Sequence, residues 1–274
     1  MNKLEKLIKE VNQEWGEGSL IVPEFGGSMA NEKPEVVSCG FPRIDEAFGI
    51  GGLPCGRIVE VYGQEASGKS TFVLHYIKAA QDMGKRCAFI DTEHALDRER
   101  ATLIGVNFQK LAISQPANAE QALDILEFII RSGQFGMIAV DSVAALVPKA
   151  EIENGMDSAN IGLQARLMGR ILRKIVPTVN EKKVLVLFTN QMRAKIGGFG
   201  PIQTITSGGL ALKFAASIRI ELARTGNKKV GERQIYSTHK MTVRKNKMAV
   251  PAGVVLFNIN EKGIIPDVVK SDVL

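Results

Sequence analysis

Cysteine and histidine are scarce in this chain of 274 residues. The three cysteines, Cys39, Cys55 and Cys87, are too few and too scattered for a disulfide framework or a zinc site. They read as small buried apolar residues. The only histidines are His75, His94 and His239, which excludes a histidine-rich metal cluster. No apolar run reaches the roughly 18 residues needed to cross a bilayer. The opening MNKLEKLIKE lacks the apolar stretch of a secretory signal. A cytoplasmic protein with no membrane partner is therefore expected. Internal repeats and low-complexity tracts are also missing.

What is present is enough apolar sequence, 45% of the residues, to bury one large core. The net charge of +6 and the pI of about 9.2 are compatible with nucleic-acid binding but do not establish it. The first 15 residues read as an amphipathic helix, with Leu4, Leu7, Ile8, Val11 and Trp15 on one stripe. The short apolar run Ser19–Val22 reads as a strand, and the polar, glycine-containing segment after it reads as a linker. A helix and a strand ahead of a linker cannot form a core alone. Residues 1–35 are therefore expected to dock on their own domain or on a neighbour.

From about Val36, apolar strands alternate with helices. Strands are expected at Ile58–Tyr62, Cys87–Asp91, Met137–Asp141, Val184–Asn190, Ile218–Leu222, Met241–Lys245 and Val254–Asn258, and helices near Ser70–Met83, Glu120–Arg131 and Ile161–Asn180. This order predicts an α/β fold over residues 36–270: a mostly parallel central sheet flanked by helices, with an antiparallel extension from the last strands.

The sharpest signal is Gly63-Gln64-Glu65-Ala66-Ser67-Gly68-Lys69-Ser70, a full match to G-x-x-x-x-G-K-[ST] between a predicted strand and a predicted helix. The glycines let the backbone curl so that its N–H groups face inward as an anion nest, and the helix adds its positive end. Lys69 is placed to reach the β- and γ-phosphates of ATP and Ser70 to ligate Mg²⁺; Thr71 follows on the same helix turn. Asp141 ends an apolar strand, where a second metal carboxylate is expected. The bland alternative is a cap for the next turn. Glu93, after the strand Cys87–Asp91, is a candidate to orient and deprotonate the attacking water, with a solvated loop carboxylate as the alternative.

Five stretches narrow the field: FIDTEHALD (Phe89–Asp97), VDSVAALVPKAEIE (Val140–Glu153), NQMRAKIG (Asn190–Gly197), TSGGLALKFAASIR (Thr206–Arg219) and VRKNKMAVP (Val243–Pro251). In order and spacing they resemble the bacterial RecA recombinases, from about Trp15 to about Val269. The resemblance implies a RecA-like P-loop ATPase core that forms helical filaments on single-stranded DNA and pairs it with homologous duplex. It implies catalytic roles for Glu93, Lys69 and Gln191, and a reach across the subunit boundary for Lys245 and Lys247. Asp97 and Arg100 join the nucleotide site, and Phe214 and the N-terminal element join the contact between copies. DNA-binding loops fall at about residues 153–162 and 196–209. Ile161 and Ile196 would wedge between bases, and Gly197, Gly208 and Gly209 would lie against the strand. Arg166 and Arg173 would line the DNA backbone. Independently, Arg166, Arg170, Arg173 and Lys174 form one basic helix face, which otherwise reads as a solvated one. Loading proteins and a LexA-type repressor enter as partners by the same resemblance.

The sequence departs from the family at Arg100, where an adenine-stacking aromatic is usual, at Leu210, which replaces a polar residue, and at Gly200, near an expected loop-tip aromatic. The family continues into a small C-terminal domain and an acidic tail with no counterpart here, so a core ATPase is expected. Two alternatives remain at this point: a ring-forming motor on the same fold, and a non-catalytic ATP-binding filament scaffold.

Overall fold

A computed structural model describes residues 3–22, 34–153, 162–194, 204–250 and 253–265. The chain divides into two units, Met1–Pro34 and Glu35–Leu274. The first contains helix α1 (Lys3–Trp15), none of whose residues is buried. Of the predicted apolar stripe, Leu4, Leu7 and Trp15 are exposed, Trp15 by 66%, while Ile8 and Val11 are half-buried. The predicted strand at Ser19–Val22 is not formed. A strand exists only as a ladder, and this run has no paired neighbour among the described residues; an apolar run alone does not supply one.

The second unit runs β1 (Val36–Val37), α2 (Pro42–Glu46), β2 (Leu53–Pro54), β3 (Ile58–Gly63), α3 (Lys69–Asp82), β4 (Cys87–Asp91), α4 (Arg98–Ile104) and β5 (Leu111–Ser114). It continues through α5 (Ala119–Ser132), β6 (Met137–Asp141), α6 (Lys149–Glu153), α7 (Leu163–Glu181), β7 (Leu185–Ala194), β8 (Thr204–Thr206) and α8 (Leu210–Ala215). It closes with β9 (Ile218–Val230), β10 (Arg233–Asn246), β11 (Val254–Asn260) and β12 (Gly263–Ile265). The main sheet has the order β12-β11-β10-β9-β3-β7-β6-β4-β5, with β8 paired to β7. Pairing is parallel from β5 to β9 and antiparallel from β9 to β12, as the strand and helix order predicts.

Local chemistry sets the element ends. Asn118 and Asp97 cap α5 and α4 through their side chains, and Gly133 and Gly105 end those helices in the left-handed region. The central strands are apolar on both faces because helices cover both. In β7, Leu185 and Leu187 join one core with Phe72 and Tyr76 of α3, while Val186 and Phe188 join the other with Leu126 of α5 and Ile171 of α7. The last strands run longer than predicted. β9 and β10 form an extended hairpin whose outer part is exposed, so it lacks the apolar alternation that marks a covered strand.

Two buried polar features were not legible from pattern. Glu60 of β3 is fully buried and lies in register with Arg219 of β9, which forms an ion pair with it; Asn190 of β7 donates to its other oxygen at 3.0 Å. A buried charge requires such partners. His75 of α3 is also buried, and its Nε2 accepts the Ile264 N–H at 2.8 Å.

Burial, aided by Lys78 and Arg100, lowers the His75 pKa to about 4. The folded chain therefore binds fewer protons here than the unfolded chain between about pH 6.5 and about 4, so stability should fall as pH drops through that window. His75→Gln should flatten this part of the pH profile of denaturant unfolding. Superimposable slopes for the two proteins would contradict the assignment.

Candidate nucleotide site

The sheet's carboxyl edge is where parallel strands point their chain ends, and the polar residues converge there. β3 delivers the loop Gly63–Ser70, and α3 leaves it. Gly68 sits at φ 91°, the left-handed region, as the residue preceding α3. A Cβ on Gly63 would lie 2.1 Å from the Leu222 carbonyl oxygen, so β9 can approach only glycine here. Glu65 through Thr71 line a cleft of about 520 Å³, joined by Glu93, Arg100, Asp141 and Gln191. Gly63 and Gln64 stand behind it, and their carbonyls accept from Lys69 Nζ at 3.3 and 2.8 Å. Burial lowers the Lys69 pKa, while Asp141, Glu93 and Glu65 oppose that shift.

The Ser70 hydroxyl donates to one Asp141 oxygen at 2.8 Å and Thr189 of β7 to the other. Asp141 therefore faces the loop and does not cap the turn at Val143–Ala145. Its pKa is raised chiefly by burial, with the Thr189 and Ser70 hydrogen bonds opposing. A hydroxyl and a carboxylate are hard oxygen donors, which fit Mg²⁺ completed by phosphate oxygens and water. Among the described residues no cluster of three or more His, Cys, Asp or Glu could hold a metal, and a metal carried on a nucleotide needs none. The buried Ser67 hydroxyl has no partner among the described residues, as a group awaiting a ligand would.

Glu93 is held at one oxygen by the Ser142 hydroxyl and by Gln191 Nε2 at 3.1 Å. Gln191 itself pairs in register with Gly63, which sets it beside the loop. Arg100 lines the cleft and donates to the Asn260 carbonyl at 3.0 Å, while Asp97 caps α4 by accepting the Arg100 N–H at 2.9 Å. Asp97 lies in a smaller adjoining cleft with Ser70, Glu93 and Asp141.

Other predicted residues lie elsewhere. The Lys245 ammonium donates to the carbonyls of Lys213 and Phe214 at 2.5 and 3.2 Å, and Lys247 to that of Phe214 at 3.1 Å, at the carboxyl end of α8. The Phe214 side chain is 70% exposed. Lys245 pairs with Arg219, three residues before Leu222, the partner of Gly63. That is about 10 Å along the strand, towards the opposite edge of the sheet.

Arg166 and Arg173 are exposed on α7. Lys174 of the same predicted stripe instead pairs with Glu127 of α5 at 3.1 Å, so the stripe is partly neutralised on that side. The Gly208 N–H, expected to face DNA, donates to Gln164 Oε1 at 3.2 Å. Gln164 also binds the Val143 and Leu146 carbonyls, fastening the start of α7 to the approach to α8. Ile161, Ile196, Gly197 and most of both predicted loops lie outside the described residues. Ser142, Thr189, Gln164 and His239 carry no signal of a site in the sequence; the last lines the cleft from β10. Each contacts its partner only through the tertiary fold, so no local pattern marked it.

Fold and cleft together define a P-loop nucleoside triphosphatase. Residues 2–265 match the family model described as RecA N-terminal domain. The chain is 49% identical over 249 residues to Protein RecA of Thermotoga maritima, covering 90% of this chain and 69% of that protein. It is 45% identical to Protein RecA of Streptomyces coelicolor, covering 93% of this chain and 68% of that one. It is also 45% identical to a mitochondrial DNA repair protein recA homolog of Dictyostelium discoideum, of which it spans 56%. The chain belongs to the RecA family, whose members are ATP- and Mg²⁺-using, DNA-dependent ATPases of recombination and repair. No helix among the described residues is long and apolar enough to cross a membrane.

If Ser70 and Asp141 hold the metal, Asp141→Asn should raise the Mg²⁺ concentration for half-maximal binding of an ATP analogue about tenfold or more. Titration of a fluorescent analogue measures this, and an unchanged Mg²⁺ midpoint would refute the pairing.

Proposed function

We infer that the protein is an ATP-dependent DNA recombinase that forms helical filaments on single-stranded DNA and catalyses homologous pairing and strand exchange. The supporting observation is the separation, along one sheet, of the phosphate cleft from the patch of Lys245, Lys247 and Phe214. Head-to-tail repetition of such a unit sets one copy's patch against the next copy's cleft, and an interface of this kind builds a filament when it does not close. Both ammonium groups are held by main-chain carbonyls, and neither forms a salt bridge among the described residues. Their charge, not cancelled by a carboxylate, is available to a neighbour's transferring phosphoryl group, as that of an arginine finger is.

Within one copy, Gly63 to Thr71 wrap the phosphates, with Lys69 against the β- and γ-phosphates. Ser70 and Asp141 hold Mg²⁺, which supplies charge neutralisation at the phosphates. Glu93 orients the attacking water and takes its proton, and Gln191 responds to the γ-phosphate. β7 runs only three residues beyond Gln191, to Ala194, before the second DNA loop begins. Loss of the terminal phosphate thus acts at the root of that loop, an order–disorder switch. Arg166 and Arg173 track the DNA backbone, and Gly209 offers a main-chain donor. Arg100 packs at the base end of the cleft in place of an aromatic, where its guanidinium plane can stack. Phe214 and α1 join the contact between copies. Loading proteins and a LexA-type repressor complete the proposed partners.

Oligonucleotide strand exchange tests this directly: joint molecules should form only with ATP, Mg²⁺ and homology. Persistent absence of joint molecules under conditions where the protein coats DNA would leave a scaffold, not a recombinase. Glu93→Gln should lower DNA-stimulated ATP turnover by about 10²-fold or more while ATP-dependent DNA binding persists. Turnover equal to that of the native chain would remove Glu93 from the chemistry.

A further inference from the structure

His239 of β10 touches the phosphate loop from 172 residues away: its Nδ1 lies 2.9 Å from the Ser67 carbonyl oxygen. A carbonyl only accepts, so Nδ1 must carry the proton. Nε2, 2.7 Å from Ser237 Oγ, is then the acceptor of that hydroxyl. The Ser237 oxygen also lies 3.3 Å from the Ile259 carbonyl, which offers the hydroxyl proton a second acceptor. The ring is 2% exposed and stacks on Phe257 with centroids 5.7 Å apart. Burial lowers its pKa against the opposing Ser67 hydrogen bond, with Arg224 and Arg100 adding to the lowering. A neutral imidazole in one tautomer satisfies both contacts.

The consequence lies in the peptide that follows. In a planar trans peptide the C=O of Ser67 and the N–H of Gly68 point in opposite directions. Fixing the carbonyl on the imidazole therefore fixes the N–H facing away from it. That N–H has no acceptor among the described residues, and it belongs to the last glycine before Lys69. Gly68 also lets the ring approach, since a Cβ there would stand 3.2 Å from Nδ1 and 2.7 Å from Ile259 Cδ1.

We propose that His239 is a positioning residue for nucleotide binding: its Nδ1–H clamps the Ser67 carbonyl and so aims the Gly68 N–H at a phosphate oxygen. The clamp also ties the β9–β10 hairpin, which supplies Arg224 and Tyr236 to the same cleft, to the loop itself. This inference rests on the nucleotide-site reading above.

Three variants of the full chain separate orientation from packing. In His239→Asn the amide nitrogen stands the same number of bonds from the backbone as Nδ1; in His239→Gln it stands one bond farther; His239→Leu has no donor. Affinity for a non-hydrolysable ATP analogue with Mg²⁺ should fall about tenfold in the Gln and Leu variants and stay within about threefold in the Asn variant, on the scale of one hydrogen bond. The turnover number at saturating ATP should stay within about twofold of native in all three, a KM effect without a kcat effect. Melting temperatures without nucleotide should be alike for the Asn and Gln variants. Native affinity in all three variants overturns the proposal. So does equal loss in the Asn and Gln variants, or loss that tracks melting temperature, since the ring would then only fill space. If the native chain itself fails to bind the analogue, the nucleotide-site reading falls, and this inference with it.

Discussion

Backbone N–H groups that no protein acceptor satisfies are costly unless something else binds them, and the curl between β3 and α3 leaves one without an acceptor among the described residues, on Gly68, in a hollow that Glu65 through Thr71 line. Glycine makes the curl possible, and Lys69 waits on its own loop carbonyls. Everything else at the site is arranged around the anion that this hollow requires. β6 ends in Asp141, β4 leads to Glu93, and β7 carries Gln191 in register with Gly63. Parallel strands in one sheet bring three separate chain segments to the same edge.

From that edge two physical routes lead outward. One follows β7 from Gln191 to Ala194 and the β8 pairing, which flank the segment proposed as the second DNA loop. The other passes from Asp141 through the turn at Val143–Ala145 to Gln164, whose side chain holds both that turn and Gly208. Behind both, Asn190 joins the buried Glu60–Arg219 pair to the Ser207 carbonyl. Each route combines a stretch of chain with hydrogen bonds to defined partners.

The phosphate loop, the strand ends at Asp141 and Asp91 and the parallel-then-antiparallel order were legible because local sequence dictates them. Glycine spacing fixes a loop, and an apolar run ending in an acid fixes a strand terminus. The rest depends on partners distant along the chain. Glu60 sits in the run IVEVYG as an apparent blemish, and only Arg219, from far along the chain, explains it. His239 lies in an exposed-looking hairpin sequence and acquires its role from Ser67. Ser19–Val22 misled in the other direction, since apolar character without a pairing partner makes no strand. The basic face of α7 divided because Glu127 on α5 claims Lys174.

In the proposed filament one catalytic site is assembled from two copies, with Lys69 from one and Lys245 and Lys247 from the next. Mixing two inactive variants in equal amounts on single-stranded DNA tests it most directly: Lys69→Ala, and the double variant Lys245→Ala with Lys247→Ala. Random head-to-tail assembly should restore complete sites at about a quarter of the interfaces, and ATP turnover should recover accordingly. A mixture as inactive as either variant alone, in filaments shown to contain both, would mean that each site is complete within one copy.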